Sequence, residues 1–147
     1  MNIYRVQDRS PALIQQLVTV WRGAVKEPHL FLTEAEIERI QAYVPRALAD
    51  VPHLIAVKDE ADKPIAFMGI DGRKLEMLFV APEWRGHGLG KKLLECGIKD
   101  YSVNELGVNE QNPQARGFYE HMGFQVYKRT PTDEQGMPYP ILSMKLP

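Results

Sequence analysis

The chain has 147 residues, 44% of them hydrophobic, and its 18 lysines and arginines against 19 aspartates and glutamates leave a net charge of −1. That length supports one domain with a real core and is short for two. The even balance excludes the charge footprint of a nucleic-acid binder or of a protein held electrostatically on an anionic membrane. A single cysteine, Cys96, excludes an internal disulfide and a cysteine-based zinc site. Met1 to Arg5 lacks the apolar stretch of a signal peptide, and no run reaches the about eighteen apolar residues that span a bilayer. The expected compartment is the cytoplasm.

Asn2 to Val6 alternates polar and apolar residues and reads as an opening strand. Ser10 followed by Pro11 supplies an N-cap and a first-turn proline, and Leu13, Leu17, Trp21 and Val25 continue as an apolar helical stripe that Pro28 ends. Thr33 to Glu36 matches a capping box, with Ile37, Ile40, Val44 and Leu48 following at helical spacing and Pro45 placed to bend or shorten that second helix. Leu54–Val57, Ile65–Ile70 and Leu75–Val80 are apolar runs separated by Asp59–Lys63 and by Gly72, which predicts a three-strand meander. The next helix follows Gly88 and turns Leu89, Leu93, Cys96 and Gly97 inward, and Glu105–Val108 is a short strand. Asn112-Pro113 caps a helix that runs to about Met122, with Gly123 as its terminating glycine. Phe124–Tyr127 and Ile141–Leu146 close the chain as strands around a loop from Pro131 to Pro140. The order β-α-α-β-β-β-α-β-α-β-β gives a mixed α/β fold, a central sheet flanked by helices in one domain over residues 1–147.

Two segments carry chemistry. Arg85-Gly86-His87-Gly88-Leu89-Gly90 links a strand to a helix, where amides with no intrahelical partner lie at the positive end of the macrodipole. Glycines let that backbone approach phosphate oxygens, and Lys91 and Lys92 add charge beside it. An ordinary turn uses the same residues. The preceding strand belongs to a meander, unlike that of a dinucleotide βαβ unit, and no Gly-Lys-Ser/Thr follows at Walker spacing. The second segment, Asn112 to Tyr119, places two aromatics on a capped helix.

The run Leu78 to Leu94 resembles the acyl-CoA-binding motif of the GNAT superfamily of N-acetyltransferases, whose core is Arg/Gln-x-x-Gly-x-Gly/Ala, and Asn109 to Phe124 resembles that family's following segment. The predicted element order is similar along essentially the whole chain, and Val108–Asn112 together with Gly136–Pro140 is similar to small bacterial members. The resemblance implies acetyl-CoA as cofactor, held in a V-shaped opening between the strand ending at Val80 and the one ending near Val108. Leu78, Phe79 and Val80 would hold the pantetheine. Arg85, Gly86, His87, Gly88, Leu89, Gly90 and Lys91 would hold the pyrophosphate, with Asn112 and Tyr119 nearby. It also implies an acyltransferase that moves an acetyl group to a primary amine by direct attack in a ternary complex, with Tyr119 protonating the leaving thiolate.

The residues leave other assignments open. Phe118 reads as packing, and so could Tyr119. Glu76, which by strand alternation shares a face with Leu78 and Val80, is either a general base among apolar neighbours or a solvated strand residue. His29 and Phe31, between the first two helices, and Tyr139, in the late loop, fall where the family builds its acceptor pocket, and each also reads as loop packing. No histidine has companions at metal-ligand spacing, so no metal is expected. The acceptor is a small-molecule or protein amine, the chain a monomer or homodimer without nucleic-acid or membrane partners. A catalytically silent acyl-CoA-binding regulatory module is the alternative.

Overall fold

The computed structural model describes residues 2–26 and 32–147. Strand β1 (Asn2–Arg5) leads into α1 (Pro11–Val25), where the Ser10 hydroxyl accepts from the Leu13 amide as the expected cap. The capping box at Thr33 is complete, with Thr33 Oγ1 accepting from the Glu36 amide and Glu36 accepting from the Thr33 amide. The second helix ends early at the position Pro45 marked and divides into α2 (Glu34–Gln41) and α3 (Val44–Asp50). Pro45 has no N–H to give the Gln41 carbonyl, so the first helix stops there and a second starts with proline in its first turn. Arg9 Nη1 closes the far end of α3 by donating to the carbonyls of Leu48, Ala49 and Val51 at 2.9, 3.0 and 2.6 Å.

The meander is present as β2 (His53–Lys58), β3 (Pro64–Asp71) and β4 (Lys74–Val80). A 3-10 turn (Pro82–Trp84) then precedes α4 (Leu89–Tyr101), β5 (Glu105–Asn109), α5 (Pro113–His121), β6 (Gln125–Thr130) and β7 (Ile141–Lys145). The seven strands make one sheet in the order β1-β2-β3-β4-β5-β7-β6. All neighbours are antiparallel except β4 and β5, which pair in parallel at Lys74↔Glu105 and Leu75↔Leu106. Beyond Leu75 they part. Leu78, Phe79 and Val80 keep their ladder to β3 and leave the other edge open toward β5.

Each face of the sheet carries a core. On one side α1 and α3 bury Leu17, Trp21 and Leu48 against Leu54 and Phe67; on the other α4 buries Leu93 and Leu94 against Met68, Ile70 and Leu106. Cys96, expected in that second core, is only half-buried on the flank of the Leu89, Leu93, Gly97 stripe, with its thiol 3.5 Å from Asp100 Oδ2. Burial and that carboxylate raise the thiol's pKa, which leaves it a poor nucleophile. Gly97 sets how closely α4 lies on the sheet, because a Cβ there would meet Met68 Sδ at 3.2 Å and Val103 Cγ2 at 3.3 Å. Gly97→Leu is expected to lower unfolding stability by about 1–3 kcal/mol through overpacking, read as a lower urea midpoint at unchanged m-value.

Candidate functional site

Where β4 and β5 separate, the sheet opens into a cavity of about 440 Å³. Its floor is Leu78, Phe79 and Val80; one wall is the start of α4 with its preceding loop, and the opposite wall is α5. The loop geometry follows from its glycines. Gly86 and Gly88 have φ of +79° and +74°, left-handed values that a side chain makes costly. Gly88 is the N-cap of α4 and offers no side-chain acceptor, so the first-turn amides of Leu89, Gly90 and Lys91 point out of the helix unpaired within it. The first intrahelical bond of this turn runs from the Lys92 amide to the Gly88 carbonyl at 3.0 Å. A Cβ built at Gly86 or Gly88 meets no atom within 4 Å, so the backbone faces open space on that side. This is a cradle for an anion, and its amides, dipole and adjoining lysines fit a pyrophosphate.

Arg85 bears on the cradle from behind. Its Nη2 donates to the Ala24 carbonyl at 3.0 Å, one of the last carbonyls of α1, and so clips the loop to that helix. Ala24 and Val25 also line the cavity. Of the residues expected to hold cofactor, Leu78, Phe79, Val80, Arg85, Gly86, Gly88, Leu89, Gly90, Lys91, Asn112 and Tyr119 all border this space. His87 does not. Its ring leans on Trp84, 5.2 Å between centroids at 58°, and its Nδ1 lies 3.1 and 3.0 Å from the carbonyls of Trp84 and Arg85. Asn112 combines two roles, bordering the cavity while its Oδ1 caps α5 at the Ala115 amide.

The far wall is aromatic. Phe118 and Tyr119 border the cavity, with ring centroids 5.2 Å apart at 61°, and Tyr119 also meets Phe124 edge-on at 6.2 Å. Across the opening, a Cβ on Gly90 would lie 3.7 Å from Phe118 Cζ. Burial raises the Tyr119 phenol well above its ordinary pKa, so it is a neutral donor throughout the physiological range. Phe118, read from sequence as packing, packs and lines at once. Trp84, Gln114 and Ala115 were not expected at the site, although each lies inside one of the two motifs; Ala24 and Val25 had no such signal, since only the tertiary contact brings α1 there.

Alternation along β4 is broken at Glu76. The ladder runs Gly69↔Met77 and then Ile70↔Leu75, so β4 holds one extra residue at Glu76. Leu75 therefore packs in the same core as Leu78 and Val80, while Met77 and Phe79 belong to the α1 side. Glu76 does not line the cavity. Its carboxylate lies 3.8 Å from Lys74 Nζ, and burial raises its pKa against the pull of that ammonium. Tyr139 is 9% exposed, and its hydroxyl accepts from Arg39 Nη2 at 3.4 Å, away from the cavity lining. His29 and Phe31 lie outside the described residues. Among those residues no helix is long and apolar enough to cross a membrane.

Residues 50–126 match the family model described as an acetyltransferase (GNAT) domain. The chain is 38% identical over 133 residues to the peptidyl-lysine N-acetyltransferase YjaB of Salmonella typhimurium, covering 90% of this chain and 91% of the relative. It is 36% identical over 130 residues to the protein of the same name from Escherichia coli, covering 88% of each. The solution structure of apo-form YjaB from Escherichia coli superposes with a TM-score of 0.86 at 33% identity, over 98% of this chain and 95% of that one.

Proposed function

The chain belongs to the GNAT family of acetyltransferases, and from that premise we propose that it acetylates the side-chain amine of lysine in protein acceptors, with Tyr119 as the acid and Glu76 as the base. Membership makes it an acetyl-CoA-dependent N-acetyltransferase, and a catalytically silent module is not favoured. The donor half of the proposal is carried by one observation: a glycine cradle with open helix-start amides leads along an unpaired strand edge to the half-buried Tyr119. The acceptor half rests on similarity to two proteins named peptidyl-lysine N-acetyltransferases. The working unit is one domain over residues 1–147, cytoplasmic, monomeric or homodimeric.

Acetyl-CoA supplies an acetyl thioester as electrophile. The amides of Leu89, Gly90 and Lys91 would bind its pyrophosphate, and the open edge of β4 at Leu78 to Val80 would pair with the pantetheine amides as a neighbouring strand would. Lysine amines are only about one part in a thousand neutral at pH 7, a handicap of about 4 kcal/mol that a base must help meet. Glu76, with its raised pKa, is matched to accept that proton, directly or through a water. Tyr119 Oη would give its proton to the departing sulfur, since a thiol near pKa 8.5 ends up protonated at neutral pH.

The sign of the pH dependence follows. Ionised Glu76 is the active form and its folded pKa is raised, so kcat/KM climbs with pH along an acidic limb that lies above the ordinary carboxylate value of about 4.3. Glu76→Gln is expected to remove that limb. The proposal is tested by incubating the enzyme and acetyl-CoA with lysine-containing peptides, N-terminal amines and polyamines and mapping acetylation by mass spectrometry. Modification of lysine Nζ supports it; turnover of free polyamines alone overturns the acceptor class.

A further inference from the structure

The loop from Pro131 to Pro140 is built as a rigid piece. Asp133 Oδ1 accepts from the amides of Gln135 and Met137, both at 2.9 Å, and the Glu110 amide donates to the Pro140 carbonyl at 2.9 Å. Its side chains reach the rest of the molecule at Tyr139, which accepts from Arg39 of α2, and at Glu134, which pairs with Lys74 at the start of β4. Lys74 thus stands between two carboxylates, 3.3 Å from Glu134 Oε1 and 3.8 Å from Glu76 Oε1. Glu76 is the bulged residue of β4, without a partner in the β3 register and immediately past the last β4–β5 pair, Leu75↔Leu106.

We propose that Lys74 is a positioning residue for the transfer: its ammonium ties the 131–140 loop to β4 and fixes the Glu76 carboxylate beside it. This rests on the reading of Glu76 as base. One cation then sets both the docking of the acceptor-side loop and the ionisation of the group that takes the acceptor's proton. The charged groups around Glu76 act with opposite signs. Lys74 favours the carboxylate, whereas Glu134 from the loop and Asp71 at the end of β3 oppose it, and Glu105 of β5 acts on Lys74 in turn.

The opposed signs supply the test, made by recording kcat/KM against pH on a lysine peptide for the wild type, Lys74→Met, Lys74→Arg, Glu134→Gln and Glu76→Gln. Lys74→Met is expected to move the acidic limb up by about half a unit to one unit, a neighbouring charge discounted for partial exposure. It also raises the acceptor KM about three- to five-fold, the effect of losing one part-exposed ion pair. Glu134→Gln raises KM similarly but leaves the limb in place or moves it down, a reversal that mere loosening of the fold does not produce. Lys74→Arg restores both values. Calorimetric binding of acetyl-CoA at wild-type affinity in each variant reports an intact fold. Loss of the limb in Glu76→Gln together with a wild-type limb and KM in Lys74→Met overturns the role of Lys74 alone; a wild-type limb in Glu76→Gln overturns Glu76 as base.

Discussion

Gly88→Trp is expected to abolish saturable binding of acetyl-CoA and of CoA, with at least about a hundred-fold loss of affinity, or about 2.7 kcal/mol. Two effects combine. At φ +74° a side chain costs about 1–2 kcal/mol of backbone strain, which the folded protein survives at reduced stability. The larger effect is occlusion, since the space beyond Gly88 holds no protein atom within 4 Å and an indole there fills the cradle rather than the core. Gly90→Ala is the matched control: its Cβ would meet Phe118 and Val80 at 3.7 and 4.0 Å, ordinary contacts that leave the cradle open. Isothermal titration of both variants reads the outcome, and wild-type affinity in Gly88→Trp sinks the cradle as the donor site.

Tyr119→Phe is expected to lower kcat by about 10²- to 10³-fold, the usual scale of a lost general acid, with little change in acetyl-CoA affinity or stability. The ring contacts with Phe118 and Phe124 survive the substitution, so the missing hydroxyl is the only change. Because burial raises the phenol's pKa, the wild type keeps its proton donor as pH rises toward 10, and the rate shows no alkaline limb from Tyr119 in that range. Thiol release followed from pH 6 to 9.5 measures both. A Phe variant within about three-fold of wild type would assign Tyr119 to packing alone.

Local sequence made most of this legible. Both helix caps at Ser10 and Thr33, the meander, the glycine loop and the Asn112-capped helix are short-range patterns, each settled by neighbours within a turn or a strand. Distant contacts were not. The extra residue at Glu76 exists only in register with β3, so alternation along β4 alone did not show that Leu75 joins the same core as Leu78 and Val80. The α1 end reaches the cavity through its packing on β3 and β4 and the Arg85 contact to Ala24, and His87 is turned aside by Trp84, its neighbour three residues back. Cys96 fell just off a stripe whose width periodicity does not define.

The parting of β4 from β5 has a mechanical meaning. β1 lies in one half of the sheet and β7 in the other, and two ladder pairs join the halves along that line. Tension applied at the chain ends crosses that seam in the backbone ladder, which makes it the line of rupture wherever α4 and α5 do not bridge it. Acetyl-CoA bound against the open β4 edge, as proposed, would add its binding free energy to the folded state, so the melting temperature is expected to rise with donor concentration.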